Sequence, residues 1–500
     1  KEPAPAAGQQ NLGRSAAICA TRRRFIAQIT TELVSLRDTG RKEPPAPRCL
    51  PKSRQFFHCT PSQRSQMAAQ TEALAKVDTL LKELWQLRDA FFASDATKKN
   101  EAVAAKIQEI VQLIPDGAPK ARAAYLKGRA LDAVESYSEE ANQQLEKAVK
   151  LAPDLVEAWA ALGHCLWKKP DLHEAKNCYE KAVEKRQTAE ALRGLSVLSR
   201  THDTRKSTPE QDGAFHDASV THARAACKLD SEEGESWYTL GNAHLRRYFS
   251  QGRSGRNSVD LLMAMKVFEK AETCYAKTAR PSTSLEGKWG NPDLRLSRGL
   301  ARRHVEDYAG AIDDFRAAHA LDPSLNAGDM AEDLSRWVKR VADLWERNAA
   351  LKPKQRQKLE EKLYTMKEPA GYKNTELSKL TQVNAGADAK HFAASPNAGK
   401  CLSLVVALEL RRGGSVPPDA FLCFAWDGDK CSCVALSVYD VDCKRLAPGA
   451  VLTALDPVIV DVGTSVKYKT VQVQTASKLL HDGNPLPRVL KGWASSEGRK

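Results

Sequence analysis

The stretch from Trp159 to Ala182 constrains this chain more than any other. Leu162, Gly163 and Leu166 follow Trp159 at helical spacing, and Ala175, Tyr179 and Ala182 follow after Lys169-Pro170-Asp171. Pro170 lacks a backbone donor and interrupts the first helix. Two antiparallel helices result, with Gly163 and Ala175 small where they cross and Trp159, Leu162, Leu166 and Tyr179 filling the space between. Such a hairpin cannot bury its apolar face alone, so it requires stacked neighbours.

Those neighbours are present. Trp237, Leu240 and Gly241 repeat the first half of the signature, and Ala264, Phe268 and Ala271 repeat the second. Gly299, Ala311, Phe315, Ala318 and Pro323 form a further copy. Gly163 and Ala175 lie 12 positions apart, as do Gly299 and Ala311, whereas Gly241 and Ala264 lie 23 apart, so that turn carries an insertion. The spacing W-x2-L-G-x2-L followed by A-x3-F/Y-x2-A is the tetratricopeptide pattern. It predicts an all-α solenoid and is silent about the ligand.

Four regions follow from the pattern. Residues 1–61 are rich in Pro, Ser and Arg and read as a basic disordered arm. A short amphipathic helix over Phe25–Leu36, after Arg22, Arg23 and Arg24, leaves an organellar transit peptide open, although Glu32, Asp38 and Glu43 count against it. Residues 62–350 form the solenoid with capping helices at both ends. Leu74, Val77, Leu81, Leu84, Leu87 and Phe91 open it, and Trp337, Val338, Val341 and Leu344 stripe its last helix. Its expanded segments, Thr201–Gly213, Ser250–Ser258 and Arg280–Gly290, are either a wall at one edge of the groove or tolerated surface insertions. Residues 351–399 form a basic helical connector, with a helix over Lys354–Tyr364, and then a linker. Residues 400–491 carry five or six short strands, expected to close into a small all-β barrel of the oligonucleotide/oligosaccharide-binding (OB) type.

Charge and motifs narrow the function. The net charge is +14, but half of it lies in the first 60 residues, which hold 11 Lys or Arg against 4 Asp or Glu. That weakens a nucleic-acid reading of the domains themselves. In the C-terminal region, Tyr468 between Lys467 and Lys469 is the one compact aromatic-basic group. The 12 cysteines are dispersed without zinc-site spacing and read as buried thiols of a reduced compartment. No run of 18 apolar residues is present. Phosphate-loop, H-E-x-x-H and G-x-S-x-G motifs are absent. The expectation is a non-enzymatic protein without cofactor or metal, binding a protein or peptide, with no membrane partner.

In this repeat the first helix of each hairpin lines the groove. Its inward positions are Glu157, Ala160, His164 and Trp167 in one hairpin, and Glu235, Tyr238, Asn242 and Leu245 in another. Asn242 can donate to and accept from a peptide backbone without reading its sequence. Arg200 closes a helix beside the groove and suits an acidic ligand group. Asp293, after Pro292, either caps its helix or meets a basic ligand group. Lys352, Lys354, Arg356 and Lys358 form a basic stretch, either a solvated face or a phosphate contact.

Several strings carry a resemblance. Leu155-Val156-Glu157-Ala158-Trp159, Trp167-Lys168-Lys169, Trp237-Tyr238-Thr239-Leu240-Gly241-Asn242, Tyr248-Phe249-Ser250 and Asn291-Pro292-Asp293-Leu294 resemble the tetratricopeptide repeat protein 5 (Strap, stress-responsive activator) family over about Val77 to Leu490. The order of solenoid, basic connector and OB-like domain is similar too. The resemblance implies one of two roles. One is recognition of the N-terminal peptide of nascent tubulin at the ribosome, with recruitment of an adaptor that triggers tubulin mRNA decay. The other is a stress-responsive nuclear scaffold for acetyltransferase coactivators. By residue-wise matching it places Arg200 at the acidic part of the peptide and Asp293 at the groove; as a patch, in a different register, it implies Lys352, Lys354, Arg356 and Lys358 against ribosomal RNA. It implies a location in cytoplasm and nucleus. An organellar scaffold with a nucleic-acid-binding OB domain is the remaining reading.

Overall fold

The computed structural model describes residues 61–201, 208–250, 258–278, 280–281, 283–349, 352–364, 366, 368–384, 395–411, 419–428, 430–439, 441–443, 446–463, 467–473 and 475–487. The basic arm and Arg356's side chain therefore lie outside the described residues. So do residues 202–207 and 251–257, the centres of two expanded turns.

The helical part runs α1 (Pro61–Ala90), α2 (Ala96–Leu113), α3 (Lys120–Leu131), α4 (Glu139–Leu151), α5 (Val156–Lys168), α6 (Leu172–Lys185), α7 (Ala189–Arg200), α8 (Pro209–Leu229), α9 (Gly234–Ser250), α10 (Ser258–Lys277), α11 (Pro292–His304), α12 (Tyr308–Leu321), α13 (Ala327–Ala349) and α14 (Pro353–Tyr364). From α3 to α12 these pair as successive hairpins. The close crossings fall where the small residues predict. A Cβ on Gly163 would stand 3.1 Å from the Tyr179 ring and 3.2 Å from the Ala175 carbonyl. The two signature tryptophans are anchored alike, Trp159 Nε1 donating to Pro153 O and Trp237 Nε1 to Ser231 O, both at 2.8 Å. Side-chain caps start several helices: Ser138, Asp171, Thr188, Asn291 and Asp307 each accept from a backbone amide in the first turn.

The segment over Arg280–Gly290 is more than an irregular loop. It contains β2 (Gly287–Trp289), which pairs antiparallel with β1 (Phe91–Ala93) directly after α1. Phe91 is buried, and its ring centroid lies 5.1 Å from that of Trp289. An insertion late in the repeat series thus returns to the first hairpin.

The C-terminal strands are β3 (Lys373–Asn374), β4 (Gln382–Asn384), β5 (Lys400–Arg411), β6 (Asp419–Asp427), β7 (Lys430–Val438), β8 (Val451–Leu455), β9 (Val458–Gly463), β10 (Lys467–Val473), β11 (Leu479–His481) and β12 (Asn484–Pro485). Their order is β12-β11-β8-β5-β6-β7-β10-β9-β4, with β3 beside β5. Among the described residues the order has two ends and no pairing that closes it, so a β-rich region is present without a closed barrel. The expected linker is partly sheet: β3 pairs parallel with β5, and β4 with β9. Local alternation could not reveal this, because two- and three-residue strands are too short to show a period. The last strands are β11 and β12, and residues from 488 onward lie outside the described set.

Solenoid and sheet share one core rather than meeting through a connector. Phe315 and Val341 belong to the same buried cluster as Val405, Phe424 and Val460. Trp345 of α13 donates from Nε1 to Cys433 O at 2.8 Å. Tyr439, after β7, donates to His304 O at the end of α11 at 2.8 Å.

Candidate functional site

The first helices α3, α5, α7, α9 and α11 bring most of the expected groove residues to one series of adjacent elements. Their individual settings differ. Glu157, in the first turn of α5, accepts from Arg186 Nη2 at 2.5 Å on the exposed side. His164 lies one turn before the end of α5, and its Nδ1 is 2.6 Å from Asp132 Oδ2. Asp132 is fully buried and also receives Lys168 Nζ at 3.0 Å. Burial lowers the His164 pKa, with the Asp132 carboxylate opposing it. Burial works against the Asp132 charge, yet its bonds to His164 and the nearby Lys168 and Arg129 hold that carboxyl below its usual range. Both directions describe a neutral imidazole donating from Nδ1 to a carboxylate. The sequence placed no carboxylate at ligand spacing from His164. The partner sits 32 positions upstream on the neighbouring hairpin, where only stacking brings it close.

Trp85 of α1 completes this corner. Its ring meets His164 edge-on at 5.2 Å, and the Arg129 guanidinium lies 3.7 Å over it. Arg129 in turn binds Glu190 at the start of α7 at 2.6 Å. Arg129 follows the crossing glycine Gly128 as His164 follows Gly163, an inward position, whereas no repeat spacing marks Trp85 as a groove residue.

Arg200 ends α7 and is 3 % exposed, with Nη1 donating to Ser196 Oγ at 3.3 Å. Its guanidinium is thus buried at the end of the helix. Tyr238 is half-buried, 6.5 Å from the Phe268 ring. The inward positions Ala160 and Leu245 are buried. Asn242 is 6 % exposed, and its Nδ2 is buried with no hydrogen-bond partner. A buried amide donor without an acceptor is costly in a native fold.

Asp293 lies exposed in the first turn of α11. The cap of that helix is Asn291, whose Oδ1 accepts from Leu294 N at 2.8 Å, so Asp293 does not cap it. Asn291 Nδ2 donates to Tyr275 OH at 3.0 Å, and Tyr275 OH donates to Glu235 Oε2 at 2.5 Å. Burial raises the Glu235 pKa against the Arg193 charge. Tyr275 was invisible as a site residue because it lies on a second helix, whereas Arg193 follows Leu192 as Tyr238 follows Trp237 and so falls at an inward position.

Outside the groove, Lys352 precedes α14, and Lys354 and Lys358 lie on it, all three exposed. Tyr468 is buried at 5 % exposure, which corrects its reading as a nucleic-acid contact. Its neighbours on β10 made it look exposed, but α13 covers that face of the sheet. Among the described residues no group of three or more His, Cys, Asp or Glu is placed to hold a metal ion, and no helix is long and apolar enough to cross a membrane.

Stacked hairpins with glycine crossings and a polar concave series define a tetratricopeptide-repeat protein, of the kind that serves as a protein-binding scaffold. The family model described as tetratricopeptide repeat matches residues 156–184. The chain is similar to the curated proteins named Tetratricopeptide repeat protein 5 of Mus musculus, 34% identical over 295 residues, and of Homo sapiens, 32% identical over 295 residues. Each match covers 57% of this chain and 64% of the relative, so it spans under two thirds of those proteins. Among solved structures, the APC/C hetero-tetramer Cut9-Hcn1 aligns at 17% identity and TM-score 0.37, covering 47% of this chain and 40% of that one. Repeat proteins of this class are generally non-catalytic scaffolds.

Proposed function

We propose that this chain is a non-enzymatic adaptor whose groove holds an extended peptide, the N-terminal segment of nascent tubulin at the ribosome, and so leads to tubulin mRNA decay. The observation that carries the peptide reading is Asn242 at an inward position of α9, whose amide donor has no acceptor among the described residues and meets a peptide carbonyl once the side chain turns toward the groove. A peptide carbonyl supplies that acceptor without sequence preference. The likeness to proteins named Tetratricopeptide repeat protein 5 supports the choice of ligand. Exposed Lys352, Lys354 and Lys358 support a second contact with ribosomal RNA phosphates, weakened by salt. Two weak contacts on one particle multiply through effective concentration. This reading places the working protein in the cytoplasm.

The test is binding of the purified chain to a short N-terminal tubulin peptide. Micromolar binding is expected. Asn242→Ala should weaken it about 10-fold, equivalent to about 1.4 kcal/mol, with the fold intact because the amide donor has no protein partner to lose. Unchanged affinity in Asn242→Ala, or no binding by folded wild-type protein, overturns the reading.

A further inference from the structure

The pairing of β1 with β2 has no part in repeat stacking. It joins the first hairpin to the segment before α11, across four intervening hairpins. The end of α1 that leads into β1 lies along the groove helices: Trp85 touches His164 on α5 and Arg129 on α3. On the other side, β2 leads directly to Asn291, which is tied through Tyr275 to the same Glu235. The pair thus joins a helix that lies on the groove positions of α3 and α5 to the segment that is tied to Glu235 on α9.

We propose that the β1–β2 pair is a clasp over the concave groove, and that a groove ligand enters and leaves through its opening. The proposal rests on the reading of the groove as the peptide site. The clasp has the build of an element that opens locally. Each strand has three residues, and a lone two-stranded pair is marginal in water. Its closure depends on two flanking backbone bonds, Ser94 N to Glu286 O at 2.9 Å and Gly290 N to Ala90 O at 2.8 Å, and on Trp289 against Phe91. Phe91 is fixed in the core of the first hairpins, whereas Gly287 and Lys288 are exposed and Trp289 is half-buried. Opening thus costs the partial burial of β2 and leaves the hairpins intact. Gly287 is required for closure. A Cβ there would collide with the Phe92 carbonyl and stand 2.6 Å from the Phe91 ring.

The test reads groove access without a ligand. Glu235→Cys reports the groove under the clasp, in a chain that also carries Cys19→Ser, Cys49→Ser and Cys59→Ser. The nine described cysteines are buried and give little background. Phe92→Cys with Lys288→Cys provides a lock, because these residues face each other across the strands. Antiparallel partners lie about 4.5–5.5 Å apart, within disulfide range. A polymer-linked maleimide modifies the thiol introduced by Glu235→Cys, and peptide mapping separates that thiol from those of the lock. Its modification should slow about 10-fold or more in the oxidised lock, recover on reduction, and accelerate in Gly287→Val. Equal rates in oxidised and reduced lock overturn the proposal, whether or not Gly287→Val folds. The tubulin peptide is measured on the same proteins. Rates that respond to the lock, with no peptide bound by the opened chain, would remove the peptide reading and leave the clasp.

Discussion

Replacing Glu306 by Gln should abolish a fall in stability that the native chain shows as pH rises from about 4.5 to about 7. Glu306 lies in the turn between α11 and α12 with φ +64°, and is 1 % exposed. Burial pushes its carboxyl up from an ordinary value of 4.5 to about 7, while the Tyr439 hydroxyl and the nearby polar side chains of Ser437, Gln472 and Thr470 oppose the rise. Those groups are neutral, so they offset the burial of a negative charge only in part. Tyr439 OH stands 2.9 Å from Glu306 Oε1 and 2.8 Å from His304 O, and its single proton cannot serve both. A protonated Glu306 resolves this by donating to the Tyr439 oxygen while Tyr439 donates to the carbonyl. Because the folded pKa is raised, the folded state holds the extra proton between the two values. The stabilisation is full below about 4.5 and is lost as pH rises through about 7. The shift corresponds to about 3 kcal/mol across that window. Denaturant midpoints from pH 4.5 to 8 would show it, with the native profile falling and Glu306→Gln flat in its place. Superimposable profiles would refute a buried, uncompensated carboxyl at this joint.

Gly299→Ala places a Cβ 2.7 Å from the Phe315 ring and should cost about 1–3 kcal/mol in urea unfolding, since Phe315 is buried and cannot step aside. Asp132→Ala leaves Lys168 buried without its carboxylate, while Arg129 keeps Glu190, and should cost about 3 kcal/mol. Because Asp132 opposes the burial that depresses His164, its removal should move the His164 titration lower still, readable by NMR; an upward move would contradict the assigned pair.

Much of the solenoid was legible from residues alone because its rules are local. Trp159, Gly163 and Ala175 lie within one hairpin, and the turn at Lys169-Pro170-Asp171 lies between two helices that start and stop where the pattern says. Asn242 and Glu235 were legible as groove positions for the same reason: helical periodicity assigns a face. The strand segments over 400–473 were legible from alternation, but their closure was not, since pairing order is a long-range property.

Arg200 shows the limit of a face assignment. Its place at a helix end was readable, whereas its burial beside Ser196 depends on where α8 lies after an inserted turn. Asp293 gave up its capping role to Asn291, two residues away, because cap choice depends on backbone angles that residue type does not state. Trp85, Arg129 and Asp132 became one site with His164 only when α1 was laid along the stacked helices.

What the sequence by itself determined is the hairpin, its repetition, and the sides of each helix, because these follow from a period of 3.6 residues and from which side chains are small enough for helices to cross. What only the tertiary structure decided is how distant parts close on one another: β2 on β1, β3 and β4 on the sheet, and Tyr439 on Glu306. Those contacts join residues separated by more than a hundred positions or by strands of two and three residues, where no local period exists to record the partner.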